Sequence, residues 1–345
     1  MKVGVYHGPG DIRIEDRERP RPGPGEILLR VRACGLCGTD VAKYRLCLVK
    51  PPAVLGHEVA GEVVEVGPDV EHVAVGERIV VPHHMPCFTC LYCRHGNYSN
   101  CAAFRPNQFI PGGFAEYIRV GAPSVRAGVF KIPDNLSDDA AALAESLACC
   151  LRALKRSHFR AGDSLAVVGC GPVGLMHLML ARSFGAGVLI GVDVVPERLE
   201  AARRFGADAT INAKDGNAQA QACAVTDGAG PDQVIVAAGN TAAVELGLRL
   251  ARRGGTVNVF AECPPGSSVT LDPNRVYHAE VSLIGTYSSS PAEMAEALSL
   301  LARGRIDVEA LITHRLPLAR LQEGFHLATA GREALKIVIH PSGSE

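Results

Sequence analysis

The chain has 345 residues, 47% of them hydrophobic and 21% charged, a balance that fits a folded globular protein of about two domains. Its formal net charge of −1 leaves no global field to draw it to nucleic acid or an anionic membrane. The opening MKVGVYHGPGD has no apolar leader core and no uninterrupted apolar run approaches spanning length, so a cytoplasmic protein without nucleic-acid or membrane partners is expected.

Residues 1–146 read as β-rich and loop-rich, with short apolar runs at 26–33, 59–66 and 77–81 punctuated by Gly and Pro. Ser137 is placed to cap a helix whose first turn carries Asp138 and Asp139, and an Ala- and Leu-rich pattern continues to about residue 158. Apolar strands then alternate with helical stretches at 165–168, 188–192, 210–211, 233–237, 256–260 and 281–284. Six strands separated by helices predict an open, doubly wound parallel sheet with right-handed crossovers, spanning 147–286. The remainder, 287–345, reads as a helix and a final strand at 335–340 that return to the first domain.

Gly169-Cys170-Gly171-Pro172-Val173-Gly174 fits G-x-G-x-x-G and lies between the strand SLAVV and the helix PVGLMHLMLARSFG, the context that a dinucleotide site needs. Gly169 permits the tight turn, Gly171 the approach of a pyrophosphate, and Gly174 the packing of helix on strand, with the free N–H groups of the helix N-terminus facing the phosphates. Asp193 ends the next strand nineteen residues after Gly174 and is expected to bind the adenosine ribose, which favours NAD over NADP; Arg198 stands close enough to soften that preference. A non-binding strand–turn–helix is the bland alternative.

Four of the twelve cysteines, Cys87, Cys90, Cys93 and Cys101, form C-x2-C-x2-C-x7-C within a lobe at 84–104. Four thiolates leave no open position, which describes a closed structural zinc site; an iron–sulfur cluster is the rival. A second set is spread along the chain, Cys37 in CGLCGTD, His57 and Glu58 in GHE, and Glu145 in AESLACC; a thiolate, an imidazole and carboxylates are the donor types of a catalytic zinc site, but their spacing alone does not assemble them. Taken singly, His57 would more often be structural and Glu145 a helix-surface acid. His83-His84 precede the quartet and could touch metal but read better as a solvated or packed loop pair, and Cys149, Cys150, Cys170, Cys223 and Cys263 as small buried hydrophobes.

CGTD, GHE-x-AGEV, the cysteine lobe, GGFAEY, VVGCGPVG, ALITHRLPL and LKIVIHP together resemble the zinc-dependent medium-chain dehydrogenases, within them the sorbitol and threonine dehydrogenase branch. That resemblance implies a GroES-like β-rich catalytic domain joined to a Rossmann domain, and a homo-oligomer, tetramer or dimer. It implies two zinc ions per subunit and NAD-linked, reversible oxidation of a secondary alcohol, polyol-like or cyclitol-like, to the ketone. Cys37 and His57 match two catalytic-zinc ligands, Glu145 the third, and Glu58 a carboxylate that binds zinc directly or swings in and out. Cys34 matches a non-ligand, Asp40 a residue that orients a ligand, and Thr39 the acceptor of the alcohol proton.

Two positions depart from the pattern. Ser146 follows Glu145 where the branch has proline, and Ala42 replaces a histidine that carries the proton towards solvent in many relatives. An L-threonine-type amino-alcohol dehydrogenase is the alternative within the same chemistry, and a zinc- and NAD-binding protein without catalysis is the alternative outside it.

Overall fold

The computed structural model describes residues 1–331 and 334–343. The chain forms two compact units, Met1–Ala148 with Ser289–Glu345, and Cys149–Ser288.

The first unit is built on the long strand Ile27–Leu36, which pairs antiparallel with Glu58–Val66, with Tyr117–Val120 and with the C-terminal strand Lys336–His340. An early strand and the C-terminal strand therefore share one sheet. Alternate residues of these strands turn Ile27, Leu29, Val31, Val63, Ile118, Ile337 and Ile339 into a core closed by Phe114 and Phe325. Lys2–Gly8 and Asp11–Asp16 form a hairpin beside it.

The second unit carries a six-stranded, wholly parallel sheet. Its spatial order is Ala209–Asn212, Leu189–Asp193, Leu165–Val168, Gln233–Val236, Thr256–Val259 and Ser282–Gly285. Numbered along the chain this is 3-2-1-4-5-6, the doubly wound order in which a ligand crevice opens beyond the C-terminal end of the first strand. The glycine turn of 169–174 stands there.

Two elements differ from the sequence reading. The helix expected over 137–158 breaks at Leu143 into Asp138–Ala142 and Ala144–Arg156, where the Leu143 N–H tightens onto the Ala140 carbonyl at 3.2 Å. The closing segment holds a further strand, Ile312–Pro317, and a further helix, Leu321–Ala330. Only Ile312 and Leu316 of that strand are buried, since it is an edge strand pairing on one side with Lys336–His340. Its polar face hid it. Cys150 and Cys170 are buried as expected, whereas Cys149, Cys223 and Cys263 are only half-buried.

His177, on the helix Pro172–Ser183, is fully buried against Phe260 at 4.7 Å between ring centroids. Neither ring nitrogen has a hydrogen-bond partner among the described residues, and burial pushes the imidazole pKa down to about 3. A group that the folded state cannot protonate loses stability as pH falls below its unfolded value of ~6.5. His177→Leu should therefore raise the urea midpoint at neutral pH by the equivalent of about 1–2 kcal/mol and the gain should widen at pH 5. A gain that does not grow on acidification would refute the account.

Candidate functional site

Cys37 caps the helix Gly38–Leu46, and Asp40, three residues on, completes a capping box: its Oδ2 accepts the Cys37 N–H at 3.2 Å. The other oxygen of Asp40 accepts the Gly56 N–H at 3.2 Å and lies 3.4 Å from His57 Nδ1. One buried carboxylate thus fixes both the cysteine and the histidine. Burial opposes its ionisation, but His57 outweighs this and holds the Asp40 pKa below the ordinary range. With Nδ1 committed to Asp40, Nε2 of His57 is left to take a metal, the carboxylate–histidine arrangement common behind metal ligands. Burial also opposes a charged His57 ring, yet Asp40 and then Cys37 raise its pKa well above normal. An anionic cavity of this kind suits a cation.

Cys37, His57 and Glu58 bring their ligand atoms within 4.8 Å of one another. Glu58 begins the strand Glu58–Val66, and its carboxylate lies where a Cβ on Gly35 would stand 1.9 Å from Oε2. The glycine of CGLC is thus the space that the carboxylate occupies. Lys336 Nζ contacts Glu58 Oε2 at 2.5 Å and Oε1 at 2.8 Å, and also donates to the Leu36 carbonyl. Ser146, which stands where the branch has proline, donates its hydroxyl to Glu58 Oε1. Burial would lower the Lys336 pKa, but Glu58 and then Cys37 more than offset that and raise it.

Glu145 is buried but lies outside this trio; its Oε1 stands 4.0 Å from His83 Nδ1. The His83 ring stacks between His57 at 4.8 Å and His84 at 3.9 Å, and His84 in turn packs on Phe104 at 4.9 Å. Burial and His57 push the His83 pKa well below normal, and burial pushes His84 to about 4, so both rings are neutral at pH 7. Thr39 is exposed in the first turn of the Cys37-capped helix.

Lys336 and Gly35 escaped sequence reasoning, and His83 was weighed there only to be set aside as part of a loop pair. A lysine inside the apolar run LKIVI was the available signal for the first, since a strand buried on both faces tolerates a charge only with a partner.

Cys87, Cys90, Cys93 and Cys101 also gather within 4.8 Å, around a small core with Phe104. Cys93 Sγ lies 3.5 Å from Cys90 Sγ and 4.0 Å from Cys87 Sγ. A tetrahedron with ~2.3 Å metal–sulfur bonds has edges of about 3.8 Å, so these spacings fit one zinc ion.

In the second unit Gly169 has φ +102° and a Cβ there would stand 2.8 Å from the Ala238 N atom. A Cβ on Gly174 would stand 1.9 Å from the Gly169 carbonyl, whereas one on Gly171 would meet nothing within 4 Å. The first and third glycines are required by the fold; the second leaves an open side for a ligand. Gly171 has no side-chain cap and Pro172 opens the helix, so the N–H groups of its first turn are free to receive phosphate oxygens. Asp193 is buried and turned towards this loop: Oδ2 accepts the Cys170 N–H at 2.7 Å, and Oδ1 the Val194 and Val195 N–H groups at 2.7 and 3.0 Å. Three of about four acceptor positions are used, leaving little beyond one for a ribose hydroxyl. Arg198 Nη1 stands 4.0 Å from Asp193 Oδ2.

Two family models match the chain, the alcohol dehydrogenase GroES-like domain over residues 23–134 and the zinc-binding dehydrogenase over 172–303. The sorbitol dehydrogenase of Bacillus subtilis (strain 168) is 33% identical over 99% of this chain and 98% of its own length. The D-arabitol-phosphate dehydrogenase of Enterococcus avium is 32% identical over 100% of this chain and 99% of its own. A zinc-binding dehydrogenase of Sinorhizobium meliloti 1021, solved bound to NADP, superposes with a TM-score of 0.87 at 31% identity, over 99% of both chains. The chain belongs to the zinc-dependent medium-chain alcohol dehydrogenases, oxidoreductases of alcohols that pair zinc with a nicotinamide cofactor.

Proposed function

We propose that the chain catalyses the NAD-linked, reversible oxidation of a secondary alcohol of a polyol to the ketone. The carrying observation is the Cys37–His57–Glu58 trio with Asp40 buried behind it, in a chain that also carries an open dinucleotide turn. Its relatives by name include dehydrogenases of sorbitol, of erythritol and L-threitol, and of D-arabitol phosphate.

In this reading Cys37, His57 and Glu58 hold the catalytic zinc, with Glu145 close by as a fourth ligand, and Cys87, Cys90, Cys93 and Cys101 hold the structural ion. Bound zinc lowers the pKa of the alcohol it polarises. Asp40 keeps the His57 ring in one tautomer and orientation, and Thr39 Oγ1 accepts the proton leaving the substrate hydroxyl. Lys336 and Ser146 hold Glu58 in place between its two uses, ion pair and ligand. Gly169, Gly171, Pro172, Val173 and Gly174 receive the pyrophosphate, and Asp193 with Arg198 borders the ribose. The catalytic domain is then 1–146 with 287–345, and the NAD domain 147–286. We assign the enzyme to the cytoplasm, in keeping with its twelve cysteines, none of them in a disulfide among the described residues. No helix among the described residues is long and apolar enough to cross a membrane.

We also propose a homo-oligomer formed through the free edge of the parallel sheet. Ser282–Gly285 pairs on one side only, with Leu283 exposed in it and Tyr277 and Tyr287 exposed at its flanks. An unprotected edge with apolar side chains suits pairing with a second copy.

NADH formation on a panel of tetritols, pentitols, hexitols, cyclitols and L-threonine, with and without chelator, tests the reading. Chelator-sensitive turnover of a polyol supports it. Turnover of L-threonine alone replaces it, and a higher kcat/KM with NADP than with NAD refutes the cofactor assignment.

A further inference from the structure

We propose that Ser146 is a positioning residue of the catalytic metal site: its hydroxyl locks one oxygen of Glu58, so that the other, Oε2, is the single carboxylate atom offered to the ion. The proposal rests on the assignment of zinc to the Cys37–His57–Glu58 trio above, and it says how this chain presents the third donor.

Ser146 is the third residue of the helix Ala144–Arg156 and is 2% exposed. Successive helical residues point about 100° apart, so the turn that aims Glu145 at His83 aims Ser146 at Glu58. The Ser146 hydroxyl donates to Glu58 Oε1, and Lys336 Nζ donates to the same oxygen at 2.8 Å. A carboxylate oxygen has about two acceptor positions, so both on Oε1 are taken. Oε2 is buried and accepts no hydrogen bond of ordinary geometry among the described residues; its ion-pair contact is the Lys336 ammonium at 2.5 Å. Glycine at position 35 makes room for it, since a Cβ there would stand 1.9 Å from Oε2. A buried anionic oxygen with open lone pairs, grouped with a thiolate and an imidazole, has the chemistry of a metal ligand.

The two donors to Oε1 act differently on a cation. The ammonium cancels the charge of the carboxylate and competes for Oε2. The hydroxyl carries no charge; it fixes the rotation of the carboxylate without drawing on Oε2, as hydrogen bonds behind metal ligands do. Proline, the residue of the branch at this position, has no side-chain donor, and the carboxylate would then turn about Lys336 alone. Ser146 is thus the fixed point while Oε2 passes from ammonium to ion.

The test equilibrates the zinc-loaded full chain in buffers of graded free zinc and counts the ions retained per chain. Wild type, Ser146→Ala, Ser146→Thr and Lys336→Met are compared, and Cys37→Ser marks which step of the curve belongs to the trio. In Ser146→Ala that step should move to about 10–100-fold higher free zinc, the usual cost of losing a hydrogen bond behind a metal ligand. Ser146→Thr keeps the hydroxyl and should restore most of the affinity, and Lys336→Met should move the step the opposite way. The step of the cysteine quartet should stay in place throughout, which a general loosening of the fold would not allow. A trio step that is unmoved in Ser146→Ala, or moves to lower free zinc, overturns the proposal while leaving the trio intact; so does Ser146→Thr as weak as Ser146→Ala. A wild type with no step beyond that of Cys37→Ser overturns the trio itself, and the proposal with it.

Discussion

Replacing Lys336 with methionine should cost the metal-free protein about 3–5 kcal/mol, seen as a lower urea midpoint. Lys336 is 2% exposed and Glu58 0%, and the ammonium reaches both carboxylate oxygens. Methionine fills similar volume but leaves the carboxylate buried with only the Ser146 hydroxyl to stabilise it. The penalty is that of an uncompensated buried charge, large against a typical total stability of ~5–15 kcal/mol. Removing that charge too, in Glu58→Gln/Lys336→Met, should restore most of the loss, so the double-mutant cycle isolates the pair. Because the Lys336 pKa is raised above its ordinary 10.5, its contribution is complete below that value and is lost only on alkaline titration. The wild-type contribution of Lys336 should therefore be flat between about pH 6 and 9.

A second readout follows from the competition for Glu58. The lysine that stabilises the carboxylate also withdraws it from any cation. Lys336→Met should bind zinc more tightly than the wild type at the trio, and zinc should recover more stability in the variant, since an ion that binds only the folded state stabilises it by mass action. An unaltered midpoint in the metal-free variant would show that Glu58 finds compensation elsewhere.

The legible part of this protein was whatever its sequence writes as local pattern. The glycine turn shows in G-C-G-P-V-G because each glycine answers a local demand, and the quartet because its spacing alone allows four sulfurs to converge. The parallel sheet was legible from strand–helix alternation, since strands buried on both faces are written as short apolar runs. The catalytic trio was not. Cys37, His57 and Glu58 meet only because Ile27–Leu36 and Glu58–Val66 pair in one register, Gly35 opposite Glu58. That is a long-range fact, and it was reached through family resemblance. Lys336 lies about 280 residues from the acid it neutralises, so the pairing left no trace in local composition. Glu145 shows the opposite difficulty. Resemblance alone placed it among the ligands, and its carboxylate stands 4.0 Å from Nδ1 of His83, a neighbour read as part of a loop pair.

Cys37→Ser should lower turnover on the order of 10³-fold or more, because a metal that polarises the reacting oxygen accounts for several kcal/mol of the barrier and each 1.36 kcal/mol is tenfold. The substitution changes one atom. The Cys37 N–H still reaches Asp40 at the head of its helix, so the cap and the His57 contact survive. What is lost is the thiolate, the donor that holds a soft divalent ion against water. NADH affinity should stay near the wild-type value, since the glycine turn belongs to the other unit. Metal content should fall from two ions per chain towards one, the quartet keeping its own. Cys34 supplies the contrast from the same C-G-x-C stretch. It is fully buried, burial and then Asp40 raise its thiol pKa well above normal, and it packs against Gly56 and Gly113. Cys34→Ala should therefore show itself in the urea midpoint, with both ions retained. Full activity in Cys37→Ser with one ion lost would move the chemistry away from the trio, and full activity with both ions retained would remove Cys37 from the ligand set.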